Sequence, residues 1–168
     1  MRHRKLHIIG GPGSGKTYVS KKLSKEYEYP VFDLDEIFWD KTKKDYVRTT
    51  DEYKKQELNK ILENESWIIE GVYYKWLSNS FKETDLIIVL KTPLYLRQWR
   101  IFKRFVIRKF NRSHHKQETL ISFLEMALWN HKYDKDNLVR FLKFTANHAG
   151  KTVFCSNYSD IKAVINNA

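Results

Sequence analysis

Residues 10 to 17 read GGPGSGKT, with four glycines and a proline in six positions and then Lys16 and Thr17. A run like that cannot pack a core; it can form only a loop, and the residue types say what the loop could hold. Glycine leaves backbone N–H groups open to close approach and reaches the positive φ angles of a tight anion nest. Gly10, Gly15, Lys16 and Thr17 occupy the fixed places of G-x-x-x-x-G-K-[ST]. On that pattern the stretch Gly11, Pro12, Gly13, Ser14, Gly15, Lys16 and Thr17 wraps a nucleoside triphosphate. Lys16 brings charge to the β- and γ-phosphates, and the Thr17 hydroxyl ligates Mg²⁺. The plain alternative is a glycine-rich turn with a chance GKT, but an apolar run before the loop and a helical pattern after it favour the phosphate loop.

Two carboxylates, Asp33 and Asp35, are spaced to share one face of a strand. At a strand's carboxyl end, where open α/β sheets bind ligands, Asp35 could orient an acceptor hydroxyl, accept its proton or hold a Mg²⁺-bound water. A helix cap or turn is the bland alternative for both. Glu70, followed by Gly71, could hold a Mg²⁺-ligated water or make a strand-end salt bridge. Trp39, Tyr73, Tyr74 and Trp76 could floor an acceptor pocket or pack in the core. The acceptor-side set is therefore Asp33, Asp35, Trp39, Glu70, Gly71 and Tyr73. Arg100, Arg104 and Arg108 recur every four residues, Arg97 stands one turn earlier, and Ile101 and Phe105 lie on another stripe. Alone, that spacing is a solvated basic face; beside a phosphate loop it is a cation set that could close over the triphosphate. His114 and His115 read as a solvated tip of the basic segment, and Cys155 as a buried strand-end residue.

These residues need strands that end where the chemistry is. Lys5 to Ile9 is a short strand, and the helix after the loop carries Val19, Leu23 and Tyr27 on one face. VFDLD forms the second strand, SWIIEG the third, DLIIVLKTP the fourth and KTVFCS the fifth. The fourth is nearly all apolar, as a strand buried on both faces should be. Thr49 and Glu52 have capping-box spacing for a helix carrying Tyr53, Leu58, Ile61 and Leu62. A long basic, aromatic-rich helix follows from about Leu94, two more helical patterns lie between Glu118 and His148, and Ser159 caps a last short helix. Strands alternating with helices predict an α/β fold with a central parallel five-stranded sheet flanked by helices.

The 168 residues fit one domain, 1–168, and 42% hydrophobic residues suffice for its core. No apolar run approaches the ~20 residues of a membrane span, and LHII is too short for a secretory leader. A single cysteine excludes an internal disulfide and a multi-cysteine metal site. A cytoplasmic protein is expected. The net charge of +11 attracts polyanions: nucleotide phosphates, nucleic acid or an anionic surface. Much of it sits between Arg97 and Lys116, which holds eight Lys or Arg and no acid.

The chain lacks the D-x-x-G and N-K-x-D of a GTPase, and the strand ending at Glu70 has one acid where an AAA-type ATPase has two. GGPGSGKT resembles the phosphate loop of adenylate kinases. DLIIVLKTPLYLRQWRIFKR is similar to their strand-to-lid segment, with Asp85, Pro93, Leu96, Arg100 and Arg104 in register. Over nearly its whole length the chain resembles a group of small adenylate-kinase-related proteins often labelled DNA topology modulation proteins, through FDLDEIFW, WIIEGVY and WRIFKR. The resemblance implies a nucleoside-monophosphate-kinase-like P-loop NTPase fold with a basic helical lid over about 97–130. It implies ATP and Mg²⁺ as cofactors, Arg100 near the adenine, Arg104 on the phosphates, and adenine contacts near Ser156 and Asn157. It also marks departures: EGVYYKW lacks the arginine that adenylate kinases use for AMP, and Lys75 is a loose stand-in. The expected reaction is transfer of the ATP γ-phosphoryl group to a small acceptor, a nucleotide or nucleoside first, with Lys16, Asp35, Arg100 and Arg104 as catalytic residues. The rival is an ATP-binding regulator that contacts nucleic acid through the basic helix, although no nucleic-acid module is visible; on the first reading only weak, charge-driven nucleic-acid binding is expected.

Overall fold

The computed structural model describes residues 3–40, 42, 47–110 and 119–166. In chain order the elements are β1 (Lys5–Ile9), α1 (Lys16–Tyr27), β2 (Val31–Asp33), α2 (Leu34–Phe38), β3 (Trp39–Asp40), β4 (Val47–Arg48), α3 (Asp51–Leu62), β5 (Trp67–Gly71), α4 (Ser78–Glu83), β6 (Leu86–Leu90), α5 (Leu94–Phe110), α6 (Leu120–Tyr133), α7 (Asn137–Phe144), a 3₁₀ turn (Ala146–Lys151), β7 (Thr152–Cys155) and α8 (Tyr158–Asn166). The expected five-stranded parallel sheet is present, in the order β2-β5-β1-β6-β7. Parallel pairing puts every carboxyl end at one edge. The register sets Ile8 and Asp33 on either side of Glu70, and Ile9 beside Gly71. The chain leaves central β1 straight into the glycine loop, so the loop rises between flanking strand ends.

Alternation along the strands sorts the core into two layers. Leu6, Ile8, Ile68 and Ile88 face α1 and α8, packing on Val19, Leu23, Ile161 and Ile165. Ile9, Trp67, Ile69, Ile87 and Val89 face the other way, onto Leu34, Ile37, Leu58, Ile61, Phe81, Leu138 and Phe141. Covering both faces is what a parallel sheet of nearly continuous apolar strands requires. Outside these layers, α5 packs antiparallel on α6 through Phe105 stacked on Phe123 at 4.8 Å and a hydrogen bond from the Gln98 side chain to the Ala127 carbonyl at 2.8 Å.

Three local expectations differ from the structure. The second strand stops at Asp33, because the Asp33 carboxylate accepts from the Asp35 amide at 2.9 Å and turns the chain directly into α2. The cap of α3 is Thr50, accepting from the Tyr53 amide, while the Thr49 hydroxyl donates to the Ile37 carbonyl at 2.7 Å. The cap of α8 is Asn157, not Ser159: its side chain accepts from the Asp160 amide at 3.0 Å. The β3–β4 ribbon was not foreseen; two-residue strands carry no periodicity to read.

Candidate active site

The phosphate loop starts from backbone conformations that only glycine adopts cheaply: φ is 73° at Gly13 and 99° at Gly15. Gly15 precedes α1 without a side-chain cap, so the first N–H groups of the helix remain open to an anion. The loop carbonyls are held from behind. The Thr92 hydroxyl donates to the Ser14 carbonyl at 2.9 Å, and Arg100 Nη1 donates to the carbonyls of Gly13 and Ser14 at 3.0 Å each. With its oxygens tied outward, the loop is left to present its nitrogens inward. Lys16 turns back along the loop, its ammonium donating to the Gly11 carbonyl at 3.4 Å.

Thr17 and Glu70, the expected metal pair, meet: the Thr17 hydroxyl donates to Glu70 Oε1 at 2.6 Å. Glu70 is 2% exposed, and burial raises its pKa above the usual carboxylate value, opposed by the Thr17 hydrogen bond and the Lys16 charge. Burial lowers the Lys16 pKa; the charges of Glu70, Asp35 and Asp33 oppose that shift, and Arg104 adds to it. The candidate cations and carboxylates thus share one electrostatic neighbourhood. The donor set suits Mg²⁺, which takes one or two carboxylates and completes its shell with substrate phosphates and water. No cluster of three or more His, Cys, Asp or Glu side chains that could hold a metal ion is found among the described residues.

On the β2–β5 side, the Asp33 side chain caps α2, and Asp35 lies in the first turn of that helix. The Tyr73 hydroxyl donates to Asp35 Oδ1 at 2.7 Å and accepts from Trp39 Nε1 at 3.0 Å. Burial, and then the Asp35 charge, pushes the Tyr73 hydroxyl well above its ordinary pKa, so it stays a donor. Phe38 stacks on Tyr73 at 4.3 Å, and the Arg48 guanidinium lies 5.7 Å from the Phe38 ring and 5.9 Å from that of Trp39. Tyr73, Tyr74 and Trp76 all pack on the core, and Tyr73 alone of the three also joins Trp39 in the hydrogen-bond chain to Asp35. Gly71 serves packing: a Cβ there would sit 2.9 Å from the Leu34 side chain.

Arg100 lies on the loop carbonyls, and Arg104 is half-buried beside the Lys16 charge. Asn157 spends its side chain on α8. Cys155 is buried, its thiol pushed up to about 11 chiefly by burial. His114, His115 and Lys116 fall outside the described residues. Sequence reading missed Thr92, Arg48 and Asn130, and misplaced Arg97. Arg97 is 1% exposed and pairs with Asp134 at 2.5 Å. The signal was present, since Arg97, Ile101 and Phe105 are spaced by four and form the buried stripe of α5.

Comparison with known proteins fits this geometry. The family described as an AAA domain matches residues 9–120, from the end of β1 through the loop to the start of α6. "Uncharacterized protein YqaC" of Bacillus subtilis (strain 168) is 32% identical over 129 residues, 74% of this chain and 71% of that protein. A "Putative adenylate kinase" of Saccharolobus solfataricus is 32% identical over 98 residues, 53% of this chain and 50% of its own length. The chain thus spans about half the length of that relative. Among solved structures, a gluconokinase from Sinorhizobium meliloti 1021 superposes with a TM-score of 0.56 at 14% identity, covering 98% of this chain and 91% of that one. An uncharacterized protein from Eubacterium ventriosum ATCC 27560 does so with a TM-score of 0.55 at 17% identity, covering 96% and 95%. At those identities the likeness shows the fold, an α/β P-loop kinase-like sheet. No described helix is long and apolar enough to cross a membrane. The matched family and the adenylate-kinase-named relatives, together with the GGPGSGKT loop at the end of β1, place this chain in the AAA-domain family of P-loop proteins, among the small kinase-like members related to adenylate kinases.

Proposed function

We propose that this protein catalyses Mg²⁺-dependent transfer of the ATP γ-phosphoryl group to a hydroxyl or phosphate oxygen of a small acceptor, a nucleoside or nucleotide in the first instance. The observation that carries the reading is the Thr17–Glu70 hydrogen bond of 2.6 Å beside the glycine nest, which pairs a metal-ligating hydroxyl with a buried carboxylate. Gly11 to Thr17 wrap the phosphates, and Lys16 neutralises charge developing on them. Mg²⁺, held near Thr17 and Glu70, supplies further neutralisation when bound. Arg104 adds a cation over the transferred group, and Arg100 fixes the loop carbonyls. Asp35 orients the acceptor: its carboxylate has lone pairs beyond the one Tyr73 uses. As the acceptor oxygen bonds to the γ-phosphorus and the bond to the leaving ADP oxygen breaks, a hydroxyl acceptor's proton passes to Asp35. Arg48, near Phe38 and Trp39, favours an acceptor with a planar ring and an anionic group. The chain works as one domain, with residues about 97–130 as the lid.

A screen of ATP consumption over nucleosides, nucleotides and hydroxylated metabolites tests the reading. One acceptor should raise ADP release well above the acceptor-free rate; no acceptor together with no ATP affinity would overturn it. A second reading, an ATP-binding protein that contacts nucleic acid, draws on α5, where Tyr95 (71% exposed), Trp99 (59%) and Phe110 (81%) stand among lysines and arginines. It predicts DNA affinity whose salt slope falls by about one for each cation removed.

A further inference from the structure

The loop's glycines at 11 and 13 have a cause outside the phosphate pattern. A Cβ on Gly11 would stand 2.2 Å from Arg97 Nη1, 3.0 Å from Tyr133 Cδ1 and 3.2 Å from Asn130 Oδ1. One on Gly13 would stand 2.6 Å from the Arg97 carbonyl oxygen. The base of α5 and the end of α6 therefore press directly on the outer turn of the loop. What they bring there is polar and buried. Arg97 is 1% exposed; its Nη2 pairs with Asp134 at 2.5 Å and its guanidinium lies 5.6 Å from the Tyr133 ring. Asn130 is 0% exposed. Neither its amide oxygen nor its amide nitrogen finds a hydrogen-bond partner among the described residues, and the same holds for Arg97 Nε.

Burying a primary amide without a partner destabilises a fold, and an apolar side chain would fill the place at lower cost. A guanidinium in the apolar stripe of a helix also loses its hydration, a cost that the Asp134 pair offsets while Nε stays without a partner. Both penalties fall at one spot, against the turn that must hold its shape to bind phosphate. We propose that Arg97 and Asn130, with Asp134, form a buried polar cradle that sets the position of Gly11 and Gly13 and ties the phosphate loop to α5 and α6. They are positioning residues, acting through the loop. The proposal rests on the reading of that loop as the ATP site.

The test measures Mg·ATP affinity by calorimetry and melting temperature in the full chain. Asn130→Ala removes the unpartnered amide, so its melting temperature should stay within about 3 °C of the parent, while ATP affinity falls at least tenfold. A merely structural Asn130 would move both together or neither, and either result overturns the cradle. A mutant cycle supplies the second arm. Gly11→Ala should lower ATP affinity at least tenfold in the parent, and less than threefold in an Arg97→Ala background, where the closest clash is gone. Additive losses would overturn the proposal. A parent protein without ATP affinity would overturn the ATP-site reading as well, whereas a parent that binds ATP and variants that bind it equally would overturn the cradle alone.

Discussion

The phosphate loop and the acceptor-side cluster rise from the same edge of one sheet, yet they are built from different materials. On the loop side the ligand-facing groups are backbone amides, locked by glycine conformations at Gly13 and Gly15 and by Thr92 and Arg100 behind them. On the proposed acceptor side they would be side chains: Asp35, Tyr73 and Trp39, linked in a chain of hydrogen bonds on short elements, with Asp35 itself exposed. A site made of backbone tolerates almost no substitution in its loop but is indifferent to what lies beyond the phosphates. A site made of side chains can be retuned one residue at a time. The two halves should therefore fail differently when broken.

The largest failure is expected at Arg104, the cation beside the Lys16 charge. Arg104→Ala should lower phosphoryl-transfer turnover by ~10³ or more, measured as ADP release, while Lys109→Ala, at the far end of α5, changes it little. An even loss across the α5 cations would mean that the helix serves a polyanion and not one triphosphate. Next comes Asp35→Asn, which should reduce kcat by ~10²–10⁴ and leave ATP affinity from calorimetry unchanged. If affinity fell with turnover, Asp35 would belong to the loop side and the division between the halves would be lost.

Legibility follows the same division. The loop could be read because backbone chemistry imposes residue types at fixed spacing, and the five strands because each is a short apolar run bounded by turns. Asp35 could be read as a position but not as a pair with Tyr73, which is 38 residues away and meets it only through the order β2-β5. Asp33 was open between cap and ligand in the sequence, and its cap became visible only through the Asp35 amide. Arg97 was visible in the wrong company: grouped with the other arginines by charge, it belongs by period with Ile101 and Phe105. Asn130 carried no signal, since nothing local in WNHKY says that an asparagine will lie under a glycine loop.

A smaller effect separates metal from phosphate. Burial raises the Glu70 pKa, so Glu70 takes up its proton at a higher pH than an ordinary glutamate. Mg²⁺-dependent ATP affinity should therefore weaken as pH falls through that raised value, and Glu70→Gln should abolish the pH dependence along with much of the Mg²⁺ requirement. The same dependence in both proteins would remove Glu70 from the metal site.

The smallest expected effect is a control on the scaffold. His7 is fully buried in β1, shares a hydrogen bond of 2.9 Å between Nε2 and the Ser80 hydroxyl, and has its pKa lowered to about 3 by burial and then by Lys151. Above pH 6.5 the imidazole is neutral in both folded and unfolded chains and costs nothing. Between 6.5 and about 3 the unfolded chain binds a proton that folded His7 refuses, so stability falls as pH falls. From pH 7 to pH 5 this should remove about 2 kcal/mol, read from urea unfolding, and His7→Gln should flatten that part of the curve. An unflattened curve would assign the acid sensitivity elsewhere, and losses of activity near pH 5 could then not be separated from loss of fold.

The central claim is that the glycine nest with Lys16 is a Mg·ATP site. Calorimetric titration of the parent protein and of Lys16→Ala with ATP, with and without Mg²⁺, tests it most directly, with circular dichroism confirming that the variant is folded. The account predicts saturable binding by the parent, strengthened by Mg²⁺, and a loss of at least a hundredfold, about 2.7 kcal/mol, in the folded variant. Equal affinity in the two proteins, or no binding by the parent, would contradict it.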